Sequence, residues 1–170
     1  MNEALVRRAT AEDAGAVQAI YAHSVAHSTA TFDTVAPDFD FWRDKIAALA
    51  TAGSPFRVIE QDSRVAGFAY AARFRDRAAY AATCEDSIYL APWATGRGLG
   101  TRLLGELIAA ARTAGFEQMI AVIGGGEPAS VALHSRLGFV HAGRMRAVGT
   151  KFGRKLDTVY MQRDLTREQL

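Results

Sequence analysis

The sequence predicts an α/β (α+β) fold in which helices pack on one mixed sheet, and three observations carry that expectation. First, residues 85–104 read E-D-S-I-Y-L-A-P-W-A-T-G-R-G-L-G-T-R-L-L: an alternating run, a loop holding Gly96, Gly98 and Gly100, then an apolar helical period. That is strand, glycine loop, helix. Second, residues 56–61 and 65–74 are apolar runs separated by Asp62, Ser63 and Arg64, a hairpin signature. Third, the remaining segments complete the order β α α β β β α β α β β, which is a mixed sheet rather than a regular βαβ series.

The other elements follow in chain order. Residues 3–8 form a short first strand, and Thr10 caps a helix over 11–26 in which Val17, Ile20, Tyr21 and Ser24 share a face. The Thr- and Ser-rich stretch 27–38 has neither period and reads as a surface loop. Asp38 caps a second helix with Phe39, Trp42, Ile46 and Leu49 on its apolar face and Gly53 just past its end. A connection with three arginines, 73–80, precedes a strand over 82–90. Within that strand Glu85, Ser87 and Tyr89 point one way, and Asp86, Ile88 and Leu90 the other. After the glycine loop, Leu103, Leu104, Leu107, Ile108 and Ala111 keep the helical period up to Gly115. Residues 119–123 suit a strand buried on both faces, Pro128 opens a helix ending at Gly138, and two strands over 140–148 and 156–165 turn at 151–154.

Composition sets the outer bounds. A chain of 170 residues fits one domain, and 49% hydrophobic with 22% charged residues is ordinary globular usage. The formal charge of +2 gives no reason to expect a nucleic-acid or membrane partner. Cys84 is the one cysteine, so neither an intrachain disulfide nor a cysteine-based metal cluster is expected. His23, His27 and His141 have no metal-ligand spacing with any carboxylate pair, and no metal is implied. With no signal-peptide core and no run near the roughly 18 apolar residues of a membrane helix, a cytoplasmic protein is the expectation.

A loop of small residues lets backbone N–H groups converge on an anion, and the helix behind it adds the positive end of its dipole. The spacing therefore points to a phosphate-bearing ligand. A dinucleotide fold is the competing reading, but its glycine motif opens a βαβ unit with an acidic residue roughly 20 positions on, whereas this loop follows an antiparallel segment.

Over nearly its whole length the chain resembles the GNAT superfamily of acyl-CoA-dependent N-acetyltransferases, and within it the phosphinothricin and methionine sulfoximine N-acetyltransferase type. The superfamily loop is Gln or Arg, two residues, Gly, any residue, then Gly or Ala. Residues 95–100, T-G-R-G-L-G, match except at the first position, where Thr95 departs. Further runs carry the closer resemblance: S-T-A-T-F-D at 28–33, F-R-D-R-A-A-Y at 74–80, T-C-E-D-S-I-Y at 83–89, A-V-I-G at 121–124, S-V-A-L-H-S-R-L-G-F at 130–139 and K-F-G-R at 151–154.

The resemblance implies a mostly antiparallel sheet of about six to seven strands with helices on both faces, acetyl-CoA as co-substrate, a small-molecule amine acceptor and a homodimer. It assigns the general base to Glu85, acting on an amine that must lose a proton before it attacks. The strand bearing Glu85 resembles the family's splayed and bulged strand, where an N–H near Tyr89 or Leu90 polarises the thioester carbonyl. Backbone groups of Gly96, Arg97, Gly98, Leu99, Gly100 and Thr101 are assigned to the pyrophosphate, and Glu127 and Ser130 to the rest of the cofactor. Glu127 replaces the usual Asn. His134 stands where the departing thiolate is protonated, or else it hydrogen-bonds within the fold. Thr31, Phe32, Tyr80 and Ser87 are assigned to the acceptor pocket; Arg75 and Arg77 are candidates for an acidic acceptor group, with a solvated basic loop as the alternative. Lys151 and Arg154 either approach the pocket or form a charged hairpin tip. Two other readings stay open: an acyl-CoA-binding regulatory module without turnover, and an acetyltransferase for a peptide or other amine.

Overall fold

The computed structural model describes residues 4–167, so Glu3 of the expected first strand lies outside the described residues. Seven strands form one sheet in the order β1-β2-β3-β4-β5-β7-β6. They are β1 (Leu5–Arg8), β2 (Phe56–Gln61), β3 (Arg64–Arg73), β4 (Thr83–Leu90), β5 (Gln118–Gly124), β6 (Val140–Lys151) and β7 (Arg154–Asp164). Only β4 and β5 pair in parallel; the other neighbours are antiparallel. Among the described residues the α-helices are α1 (Ala14–His27), α2 (Phe39–Thr51), α3 (Leu99–Thr113) and α4 (Pro128–Arg136).

Local chemistry explains where the elements begin and end. Thr10 N donates to Asp13 Oδ2 at 2.7 Å ahead of α1, and Asp38 Oδ1 accepts from Phe41 N at 2.9 Å at the start of α2. The β2–β3 turn places Asp62 and Ser63 at φ +52° and +60°, the left-handed pair a tight hairpin requires. Trp42, 1% exposed, packs edge-on against Tyr21 and Phe68, which seats α1 and α2 on one face of the sheet. Leu103, Leu104 and Leu107 are fully buried and hold α3 on the other face, against β2, β3 and β4.

Three expectations change. The sequence 140–165 reads as two shorter strands turning over 151–154, yet β6 runs on to Lys151 and the turn is only Phe152 and Gly153, both at positive φ. A register shift between Met145 and Gly149 absorbs the irregular middle of β6, with Asp157 accepting from Ala147 N and Arg144 Nε there. The pairing of β4 with β3 is continuous from Cys84 to Leu90, so β4 carries no bulge on that side. Finally, the glycine loop does open a β–α–β unit, because β4 and β5 are parallel across α3; antiparallel neighbours, not the lack of that unit, separate it from dinucleotide folds.

Candidate active site

The site lies where the sheet splits. β4 and β5 pair only from Thr83 and Gln118 to Asp86 and Ala121, while β4 continues to Leu90 and β5 to Gly124. Past that point the strands part, and their free edges face a cleft. Ala91 N bonds to Ala66 O across β3 at 2.8 Å, so by strand alternation the neighbouring Leu90 N–H points to the opposite, open edge. Of the two amides expected near the thioester, Leu90 rather than Tyr89 has the orientation to serve.

Two cavities meet in the cleft. A smaller one of about 230 Å³ is lined by Glu85, Asp86, Ser87, Tyr89, Thr31, Phe32, Ser130 and His134, with wall residues from β5 and Thr158 of β7. Side chains from both faces of β4 reach it because the sheet is open there. A larger one of about 610 Å³ runs past Gly96, Gly98, Gly100, Thr101, Glu127, Leu133 and Arg136. Ala30, Ile88, Tyr89 and Ser130 line both.

In the larger cleft, Gly96 and Gly98 hold φ +72° and +77°, and a Cβ on either would meet nothing within 4 Å. The left-handed backbone by itself requires glycine at 98. Gly100 differs: its Cβ would stand 3.4 Å from Leu90 and 3.5 Å from Leu133. The bond that first closes α3 runs from Arg102 N to Gly98 O, leaving the N–H groups of Leu99, Gly100 and Thr101 ahead of it at the positive end of the helix. Thr95 Oγ1 donates to Pro92 O at 3.1 Å. The hydroxyl at this departure from the loop pattern is thus satisfied within its own turn. Leu99 is core, and the exposed Arg97 side chain does not line the cleft.

In the smaller cavity the Glu85 carboxylate is half-buried and accepts no hydrogen bond among the described residues. Burial pushes its pKa up; Arg75 pulls it back, Asp86 adds to the rise and Lys45 opposes it, with a net upward shift. His134 and Asp86 are both buried, with Nε2 3.0 Å from Asp86 Oδ2 and Nδ1 2.7 Å from the Ser130 carbonyl. Burial alone would lower the His134 pKa, but the hydrogen bond and charge of Asp86 outweigh it and hold it above the ordinary value. Cys84 is buried core beside this pair, its thiol pushed up to about 12 by burial and by Asp86.

The structure brings some of the expected acceptor residues together and not others. Thr31 is buried and its hydroxyl lies 2.8 Å from Tyr21 Oη, so it fixes the loop 28–33 as well as lining the cavity. Phe32 lines it directly, and Gly124 and Gly149 leave the room its ring occupies, since a Cβ at Gly149 would come within 2.3 Å of it. Lys151 is not a hairpin tip. It is 5% exposed, and its Nζ donates to Ser28 O at 2.7 Å and Thr31 O at 2.8 Å, tying the loop down from behind. Arg75, Arg77, Tyr80 and Arg154 are exposed and do not line the cavity. Arg75 stacks on Phe74 and bonds its carbonyl, and Tyr80 packs edge-on against the same ring, because the 74–80 connection folds on itself between the end of β3 and the start of β4.

Asp86, Arg136 and Thr158 were not expected here. Asp86 carried a legible signal: alternation sends this carboxylate to the same face as Ile88 and Leu90, where it needs a partner. Arg136, whose guanidinium lies 3.4 Å from Thr101 Oγ1, and Thr158 come together with the site only through tertiary packing.

Comparison with known proteins identifies the family. The family model described as "Acetyltransferase (GNAT) family" matches residues 7–139. The chain belongs to the GNAT acetyltransferase family. It is 47% identical to phosphinothricin N-acetyltransferase of Alcaligenes faecalis over 161 residues, 94% of this chain and 82% of that one. It is 37% identical to the L-methionine sulfoximine/L-methionine sulfone acetyltransferase of Salmonella typhimurium over 160 residues, 94% of each chain. The crystal structure of a GNAT phosphinothricin acetyltransferase from Sinorhizobium meliloti in complex with acetyl-CoA superposes with a TM-score of 0.92 at 44% identity, covering 95% of this chain and 88% of that one. In GNAT terms, the two cavities are candidates for the amine and the acyl-CoA. Among the described residues no group of three or more His, Cys, Asp or Glu is placed to hold a metal, and no helix is long and apolar enough to cross a membrane.

Proposed function

We propose that this enzyme, with residues 1–170 acting as one domain, transfers an acetyl group from acetyl-CoA to the α-amino group of a small amino-acid-like acceptor. Phosphinothricin, methionine sulfoximine and methionine sulfone are the acceptor type, and the amine attacks directly in a ternary complex. The observation that carries this reading is the meeting of the two cavities at Ser130 and Tyr89, with a carboxylate free of hydrogen bonds in one and a glycine loop in the other. The loop amides and the start of α3 hold the pyrophosphate, Glu127 lies along the pantetheine arm, and the Leu90 N–H polarises the thioester carbonyl. Glu85, its pKa raised by burial, takes the ammonium proton.

A cavity of about 230 Å³ suits an amino-acid-sized acceptor better than a peptide. Arg75, whose charge already acts on Glu85, is the candidate for an acidic group on that acceptor. We place the enzyme in the cytoplasm, where acetyl-CoA is made and used. Exposed Met145 and Val148 on the outer strand β6, with Phe152 in the turn that follows it, support a homodimer through that edge, to be checked by gel filtration at two concentrations.

The test is thiol release from acetyl-CoA across a panel of free amino acids, sulfoximines, phosphinates, polyamines and peptides. Release with the sulfoximine and phosphinate acceptors, and none without acceptor, is expected; tight CoA binding with no release from any amine would overturn the reading. Glu85→Gln should lower kcat by about 10²–10⁴-fold with CoA affinity unchanged. Equal turnover by that variant would remove Glu85 as the base.

A further inference from the structure

The hydrogen bonds around His134 assign its protons. A carbonyl only accepts, so Nδ1, 2.7 Å from Ser130 O, carries a hydrogen. A neutral ring would then turn the Nε2 lone pair toward Asp86 Oδ2, 3.0 Å away, and the contact needs one more proton between them. The other carboxylate oxygen, Oδ1, is buried without a hydrogen-bond partner, so His134 is the group that offsets the Asp86 charge. Both ring nitrogens are engaged inside the protein, and the side chain is 3% exposed. Any proton His134 gives to a ligand must therefore pass through a neighbour.

That neighbour is Ser130. Its Oγ lies 3.4 Å from Nδ1, within reach of a hydrogen shared with the Ser130 carbonyl, and the residue lines both cavities at the junction where a thioester has to sit. A hydroxyl that accepts on oxygen keeps its own hydrogen to donate. We propose that Asp86, His134 and Ser130 form a proton relay in which the Ser130 hydroxyl delivers the proton to the departing CoA thiolate. Ser130 is then the catalytic acid, and His134 and Asp86 position and refill it. The inference rests on the acetyl-transfer reading above.

The step balances. The C–S bond of the tetrahedral intermediate breaks with its electron pair going to sulfur, and an S–H bond forms with the Ser130 hydroxyl hydrogen. The Nδ1 hydrogen moves to Ser130 Oγ. The proton shared by Asp86 and His134 settles on Nε2, leaving a neutral imidazole beside a carboxylate. The stripped Nδ1 then faces the Ser130 carbonyl, lone pair to lone pair, and a proton from solvent taken up through the hydroxyl resets the relay. Cys84 and Glu85 precede Asp86 on β4 and are titratable groups that feel its charge, while Phe139 closes the remaining side of the ring with an apolar edge.

Once the wild-type enzyme is shown to release thiol, Ser130→Ala is expected to lower kcat at saturating acetyl-CoA about 10²-fold, the low end for a positioned acid. Ser130→Thr should recover most of the loss. Asp86→Asn should move the alkaline limb of kcat to lower pH, because the ring loses its anionic partner. Independently of turnover, ¹⁵N NMR should find the His134 ring doubly protonated at neutral pH and singly protonated in Asp86→Asn. A Ser130→Ala enzyme as fast as wild type, or a wild-type ring singly protonated on Nε2 at neutral pH, overturns the relay. A wild-type protein that releases no thiol instead overturns the acetyl-transfer reading.

Discussion

Lys151→Met tests whether the loop over the acceptor cavity is held from behind. In the native fold the ammonium donates to two carbonyls, Ser28 O and Thr31 O, at 2.7 and 2.8 Å, and the residue is 5% exposed. A hydrogen bond to a charged group contributes about 1.5–3 kcal/mol, and a buried acceptor left unpaired costs about 1–3 kcal/mol. Against this stands the burial penalty of the ammonium, which depresses its pKa. Methionine keeps most of the unbranched stem and removes the charge, so the net loss is about 3 kcal/mol. At about 2–4 °C per kcal/mol for a chain of this size, Tm falls by roughly 6–12 °C. Phe32 and Thr31 ride on the same loop, so each 1.4 kcal/mol of the loss that falls on the acceptor-bound form raises acceptor KM about tenfold, with CoA affinity unchanged. Differential scanning calorimetry and acceptor titrations at saturating acetyl-CoA measure both, with Lys155→Met, an exposed lysine across the turn, as the control. If Tm and acceptor KM both match those of the control, the loop is held by something other than Lys151 and the reasoning fails.

Two more outcomes follow from particular residues. Gly98→Ala places a Cβ on a residue at φ +77° that touches nothing, so its cost is conformational, about 1–2 kcal/mol, seen as a lower Tm and weaker CoA binding by calorimetry; an unchanged Tm would show that the loop relaxes at no cost. Because the folded protein holds His134 above its ordinary pKa, the stabilisation from the Asp86 pair is fully present below about pH 6.5 and is lost as pH rises through the folded value. Urea unfolding at a series of pH values should therefore show the gap between wild type and Asp86→Asn narrowing as pH rises, and a constant gap would refute the linkage.

Periodicity and turn chemistry made most of the elements legible in the sequence: the capped helices α1 and α2, the β2–β3 hairpin and the β4–loop–α3 unit all rest on contacts within a few residues. Ranges such as β6 were misjudged because its regularity is broken at Ala147, and only pairing with β7 and the Asp157 bonds carry the strand through. At the site, spacing marked the loop glycines, while Glu85 and His134 were singled out through the family resemblance. Their partners were not. The basic residues around 74–80 and 151–154 looked alike in sequence, yet Lys151 is buried under the acceptor loop while Arg75, Arg77 and Arg154 stay outside the cavity.

By itself the sequence determined the strand–glycine loop–helix, the family resemblance and which carboxylate and histidine that resemblance singles out. Tertiary structure alone decided that β4 and β5 part after Asp86 and Ala121, which opens both faces of β4 to one cavity, and that Asp86 meets His134 across 48 positions of chain. The physical reason is the range of the forces concerned: backbone conformation and periodicity are settled within a turn or two of chain. Which strand edges stay unpaired, and which buried charges find each other, depends on how distant segments share one core.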